Sequence, residues 1–172
     1  MKRRILALLV ALCLVALVGP AVVFAADTDA VECTVSATLV AVEITTDGTV
    51  TYGTLDLSAT KNTLSGELND TQTAKNTGTV DEIFKIKSTD ATSGGTNWVL
   101  AATIDADQFK HEFSIDSTFP GTAMTPKDTY FTLAASIAPN GEQSFDLQIT
   151  MPSSATDYQQ HDITVTVLAE EA

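Results

Sequence analysis

The chain carries two histidines, His111 and His161, and two cysteines, Cys13 and Cys33. Nucleophilic catalysis needs a serine or cysteine held against a base, and no Gly-x-Ser-x-Gly turn accompanies either histidine. His111 alternates with Phe109 and Phe113, a spacing that predicts a hydrogen-bonded core histidine. His161 follows Tyr158-Gln159-Gln160 at the opening of the last strand and is expected at the surface. A zinc site would call for His-Glu-x-x-His or paired cysteines, and neither is present. No glycine-rich loop is spaced to cradle phosphate. Paired carboxylates for glycosidic chemistry could be drawn from any of the 22 acids, so their number identifies no site. The sequence therefore names no catalytic and no cofactor-binding residue, and a non-enzymatic protein is expected.

Calcium is the ligand the loops could serve, because it takes several oxygens from clustered carboxylates and carbonyls. Asp105 and Asp107 flank Ala106 between two predicted strands, and Asp116 and Asp128 lie in the next long loop. Asp105, Asp107 and Asp116 are the weak calcium candidates. The chain has no D-x-[DN]-x-[DN]-G run, and aspartates that cap turns give the same pattern. A glycan-binding face would present aromatics in a row, whereas Tyr52, Tyr130 and Tyr158 are scattered and Trp98 reads as a core residue. Asn69-Asp70-Thr71 is a sequon in a predicted loop, relevant where the host glycosylates asparagine.

The start of the chain bears on where that chemistry could operate. Lys2, Arg3 and Arg4 precede an apolar run from Ile5 to Val18, then Gly19-Pro20 and AVVFA. This is the layout of a secretory signal peptide, with Val23 and Ala25 at the small-residue positions, so residues 1–25 are expected to be cleaved. The run is short for a membrane span and is broken by Gly19-Pro20. Cys13 follows Leu12 inside the run, where a lipoprotein signal would want a small residue. Without residues 1–25 the chain keeps six basic residues against 22 acids, a balance of −16. Such a surface repels nucleic acid and anionic lipid, which need clustered Lys and Arg. No nucleic-acid partner, and no membrane after cleavage, is expected. Cys33 is then the one cysteine left, so no disulfide can form within the domain. Its place in an alternating stretch predicts a buried thiol, with an intermolecular bridge or a reactive thiol as the alternatives.

A period of two runs through the rest. Val31, Cys33, Val35, Ala37 and Leu39 alternate, and the parity then changes to Val40, Val42 and Ile44. Asp47-Gly48 reads as a hairpin turn with residues 49–57 returning, and 58–70 as a loop. Residues 71–78 and 81–88 read as an extended pair; 97–104, 108–115, 130–137, 143–150 and 161–168 read as further strands. Phe84, Ile86, Trp98, Phe109, Phe113, Ile115, Phe145, Leu147, Ile149, Ile163, Val165 and Val167 fall on the inward faces. Eight or nine short strands with one apolar face each predict an all-β fold, a single antiparallel β-sandwich over residues 26–172, immunoglobulin-like or alternatively a jelly roll.

Three segments carry a resemblance: KNTGTV (75–80), IAPNGEQSFDLQITMP (137–152) and HDITVTVLAEE (161–171). In this order they resemble the immunoglobulin-like modules of prokaryotic secreted and cell-surface proteins over roughly residues 70–170. That implies a sandwich and says little of activity. YGTLDLS (52–58) more weakly resembles the camelysin and TasA-type biofilm-fibre proteins, exported β-sandwiches that polymerise. The expected function is a secreted structural protein of the cell surface or extracellular matrix, associating with itself or with other matrix proteins, with 26–44 as a strand that could be donated to a neighbour. The alternative is a secreted binding module for glycan or a protein partner. Secreted protein should begin at Ala26. N-terminal sequencing checks this, and a mature chain retaining Ile5–Val18 would mean a membrane anchor instead.

Overall fold

The computed structural model describes residues 32–172; the signal-peptide reading lies outside the described residues. The chain divides after Ser36, and the body from Ala37 to Ala172 is one unit. Ten strands follow one another in it. They are β1 (Val42–Ile44), β2 (Thr60–Asn62), β3 (Gln72–Asn76), β4 (Glu82–Ser88) and β5 (Val99–Leu100). Then come β6 (Gln108–Ser114), β7 (Thr122–Ala123), β8 (Phe131–Ile137), β9 (Glu142–Thr150) and β10 (Val165–Glu171). No helix occurs among the described residues.

The larger sheet runs β1-β3-β9-β6-β5, with β2 also on β9 and β7 also on β6. The smaller one runs β10-β4-β8. The two pack face to face as the expected β-sandwich. Strict alternation puts Phe84 and Ile86 of β4 inward, while Ile83, Lys85 and Lys87 are only partly covered. They meet Phe113, Phe145 and Leu147 from the larger sheet, and Met124 and Leu133 complete this first cluster. A second cluster gathers Ala91, Trp98, Leu100, Phe109 and Ile149 at the other end. Ile163, Val165 and Val167 are half-buried against these clusters rather than fully enclosed, because β10 is an edge strand.

Several expectations need correction. Residues 49–57 form no strand, although the turn chemistry at Asp47-Gly48 is present: Gly48 has φ +68°, and Thr49 N donates to Asp47 Oδ1 at 3.0 Å. The segment instead sends Val50, Tyr52 and Leu55 against the core clusters, so it fills space between the sheets rather than pairing. The partner of β1 is β3, Val42 opposite Asn76. The expected loop 58–70 contains β2, which pairs β9. Of 97–104 only β5 is a strand, parallel to β6. Ile115 is 55% exposed, because β6 ends at Ser114 and the chain turns through Asp116.

Residues 71–78 and 81–88 do not pair either; the chain crosses between sheets in the Asn-Thr-Gly segment. Asn76 is buried, and its Nδ2 donates to Val80 O and Ile137 O, both at 2.8 Å, while its Oδ1 accepts Gly78 N. A Cβ on Gly78 would stand 2.3 Å from both Leu39 O and Glu82 Oε1, so only glycine fits. Among the described residues before β1 no strand forms: Leu39 and Ala41 accept from Thr79 N and Thr77 N, but Val35 and Leu39 are 96% and 53% exposed. Cys33 is exposed, against the buried thiol expected. Alternation alone does not bury a residue whose backbone has no sheet to join.

Truncating Phe113 or Phe145 to Ala should destabilise the fold by about 3–5 kcal/mol, since both are packed between sheets. The half-exposed Val99→Ala should cost less than about 0.5 kcal/mol. Denaturant unfolding checks both; a loss below about 1 kcal/mol at either phenylalanine would contradict the packing.

Candidate functional site

His111 lies on β6 and points into the core, 1% exposed. Its Nδ1 is 2.9 Å from Ser88 Oγ at the end of β4, and its Nε2 is 3.0 Å from Tyr52 Oη. The hydrogen bonding matches the sequence reading, but both partners come from elements that spacing could not bring to it. Tyr52 is only half-buried as a residue, yet its hydroxyl end reaches this core imidazole. Burial, with Asp70 adding its negative charge, raises the phenol's pKa well above the usual tyrosine range. Burial pushes His111 down to about 4. In the neutral imidazole one nitrogen donates and the other accepts, and the two hydroxyls satisfy either tautomer. Serine beside histidine is what nucleophilic catalysis uses, but Ser88 is fully buried and a substrate has no access to it in this arrangement.

The carboxylates of the calcium candidates accept hydrogen bonds from the chain, Asp105 and Asp116 within local turns and Asp107 from a distant segment. Asp105 Oδ1 accepts Ala106 N at 2.8 Å. Asp107, at φ +52°, accepts Thr156 N and Thr156 Oγ1 at 2.8 and 2.9 Å. Asp116 accepts the hydroxyls of Thr118 and Ser114, which hold its carboxyl below the usual carboxylate range. Nowhere among the described residues do three metal-ligating side chains come together.

Sequence reasoning missed three buried carboxylates; one, Glu112 on β6, is 2% exposed and pairs with Lys110 Nζ at 2.9 Å. Asp146 on β9 is 2% exposed and accepts three hydroxyls, from Thr63, Thr71 and Ser117, at 2.9, 2.7 and 3.0 Å. It ties the 63–71 and 115–121 loops to the outer face of the larger sheet. Thr71, the third residue of the sequon, is thereby engaged inward, while Asn69 stays exposed. Glu82 is fully buried; its Oε1 accepts Ala41 N at 2.7 Å and its Oε2 has no hydrogen-bond partner. With Thr77 N on Ala41 O and Thr79 N on Leu39 O, both at 2.8 Å, it seats the chain entering β1. An acid on an inward position of β4 was the available signal in both sequence and alternation.

The tyrosines form no row. Tyr52 is committed to His111, Tyr130 lies under Lys87 Nζ at 5.0 Å, and Tyr158 is exposed elsewhere. Exposed apolar side chains are scattered among the described residues, Val99 on β5 and Ile115 after β6 among them. Strand β8 pairs β4 alone, and beside it opens a groove of about 450 Å³ lined by Phe113, Ile115, Pro120, Gly121 and Phe131, with Asp116 at its rim. Comparison with family models, curated proteins and solved structures gives no match to this chain.

Neutral His111 yields a pH prediction. Its folded pKa lies below the ordinary value of about 6.5, so its contribution to stability is complete above that value. It is lost as pH falls from about 6.5 to about 4, amounting to about 3 kcal/mol. Unfolding free energies of the native chain and of His111→Gln, measured from pH 7 to pH 4, should converge by that order. Parallel curves would show that the histidine is not buried neutral.

Proposed function

We propose that the chain is a non-enzymatic structural subunit of the cell surface or extracellular matrix, exported and built into assemblies of its own kind, filaments among them. The observation that carries this reading is an exposed apolar segment in a chain that also has an open sheet edge. Val35, Leu39 and Val40 are exposed ahead of β1, and β8 has a free side next to the groove at Phe113 and Phe131. A strand added to such an edge gains backbone hydrogen bonds, and its alternate side chains enter the groove. A head-to-tail contact of this kind does not close on itself and so grows into a filament. Because β1 is held on β3, and Leu39 and Ala41 are held by Thr79, Thr77 and Glu82, the residues ahead of Leu39 are the part that would reach a neighbour. The sealing of Ser88 and His111 in the core supports the non-enzymatic reading. A strongly acidic surface keeps free subunits apart until specific contacts form.

Electron microscopy and size-exclusion chromatography of the mature protein test the proposal. Filaments are expected, and deletion of residues 26–38 should abolish them while the sandwich remains folded by circular dichroism. Thr132→Lys with Ser136→Lys on β8 should act in the same way, because lysine on an edge strand opposes pairing. An intact protein that stays monomeric at all concentrations would overturn the assembly reading. The groove then favours a binding module for a protein partner, through its exposed Ile115.

A further inference from the structure

His161, expected at the surface, has a side chain only 3% exposed. Its ring stacks on Trp98 with centroids 3.7 Å apart and planes 18° apart. Each ring nitrogen faces a backbone carbonyl: Nδ1 is 2.9 Å from Gln159 O, and Nε2 is 2.9 Å from Thr96 O. Carbonyl oxygens only accept. A neutral imidazole has one N–H, so it can satisfy one of these contacts and must set a lone pair against the other oxygen. An imidazolium satisfies both.

The surroundings are arranged around that cation. Asp157 Oδ2 lies 3.9 Å from Nε2, accepts Ser93 Oγ at 2.6 Å, and shares its carboxylate with Gln159 N through Oδ1 at 3.0 Å. The Ser93 and Gln159 hydrogen bonds, with His161 adding to them, hold the Asp157 carboxyl below the usual range. Residues 91–98 carry no titratable side chain, and Gly95 passes so near that a Cβ there would stand 2.5 Å from Asp157 Oδ2. On the other segment, Asp162 accepts Gln160 Nε2 at 3.1 Å, and Tyr158 is 77% exposed. The second core cluster beneath Trp98 consists of Ala91, Leu100, Phe109 and Ile149, with no charge.

We propose that His161 is a proton-operated clasp: the 92–98 loop and the 157–162 segment are joined by the Thr92–Asp162 backbone bridge and by Ser93 on Asp157, and the doubly protonated ring tightens that junction, giving up one of its two carbonyl contacts on losing a proton. The contact that gives way is the one whose nitrogen loses its hydrogen. Release at Thr96 loosens residues 93–97, between the Thr92–Asp162 and Ala91–Trp98 bridges; release at Gln159 loosens the turn that leads into β10. The clasp is closed when the ring carries both protons and loosens as pH rises. Histidine is the side chain suited to such a change near neutrality.

Trp98 is the chain's single tryptophan and reports on its own stacking partner. An imidazolium lying face to face on an indole quenches its emission more strongly than neutral imidazole does. Tryptophan emission of the intact mature protein should therefore rise in one single-proton step as pH is raised. His161→Phe keeps a ring on Trp98 and His161→Gln keeps a polar side chain; either should give a flat profile. His111→Gln should retain the step. Amide hydrogen exchange of residues 92–98 or 157–162, corrected for intrinsic base catalysis, should accelerate across the same step in the native chain alone. A flat native profile, a step that persists in a folded His161 variant, or exchange unchanged through the step would each overturn the clasp.

Discussion

The packing of β4 against the larger sheet is the interaction on which the remaining structure depends. Phe84 and Ile86 are wholly enclosed, and they are the inward side chains of the central strand of the smaller sheet. Both edge strands of that sheet, β8 and β10, are placed by their register on β4. Everything that reaches the second layer therefore does so through one seven-residue strand. Burying a large aromatic or aliphatic side chain contributes about 1.5–3 kcal/mol, and the apolar layer is only one side chain deep on each face. A domain of this size has little surplus beyond such a layer, so each buried polar group has to be matched.

Most of them are matched, by partners from distant parts of the chain. His111 has Ser88 and Tyr52, Asp146 has three hydroxyls, and Asn76 has two carbonyls. The His111 and Asn76 contacts join segments that ladder hydrogen bonds do not, while Asp146 extends the ladders of β9 with β2 and β3. Asp146 holds loops on the outer face, Asn76 turns the chain from one sheet into the other, and His111 pins the irregular 49–57 segment between them. Two atoms are exceptions among the described residues: Glu82 Oε2, beneath the chain that enters β1, and Trp98 Nε1 in the second cluster. Threonine and serine supply many of the donors, which gives their abundance a role beyond covering strand faces.

The division between closed interior and open edge bears on the proposed role. The interior encloses Ser88 and His111. Among the described residues, the free side of β8, like those of β10, β5 and β1, leaves backbone unpaired, and the residues before β1 leave apolar side chains exposed. An edge of this kind is a hazard in a protein that must stay monomeric and a joint in one that assembles. The acidic surface tempers nonspecific contact at such an edge, because like charges must approach before backbone pairing can begin.

The alternation of apolar and polar residues in β3, β4, β6 and β9 determined by itself that the protein is an all-β sandwich and which faces are inward. A period of two places side chains on opposite faces whatever the strand is paired with. His111 as a hydrogen-bonded core residue and Trp98 as a core aromatic were legible for the same reason. Pairing was not. Residues 49–57 and the stretch before β1 alternate as clearly as β4 does, yet neither is a strand, because alternation is local whereas a strand exists only beside a partner. His161 shows the same limit at the level of a site. Its sequence neighbours are polar, and its burial comes from a loop some sixty residues earlier that lays Trp98 against it. Types and periods were written in the sequence; which segments meet was decided by the fold, since buried donors, acceptors and edges find their partners only when both sheets have closed over the core.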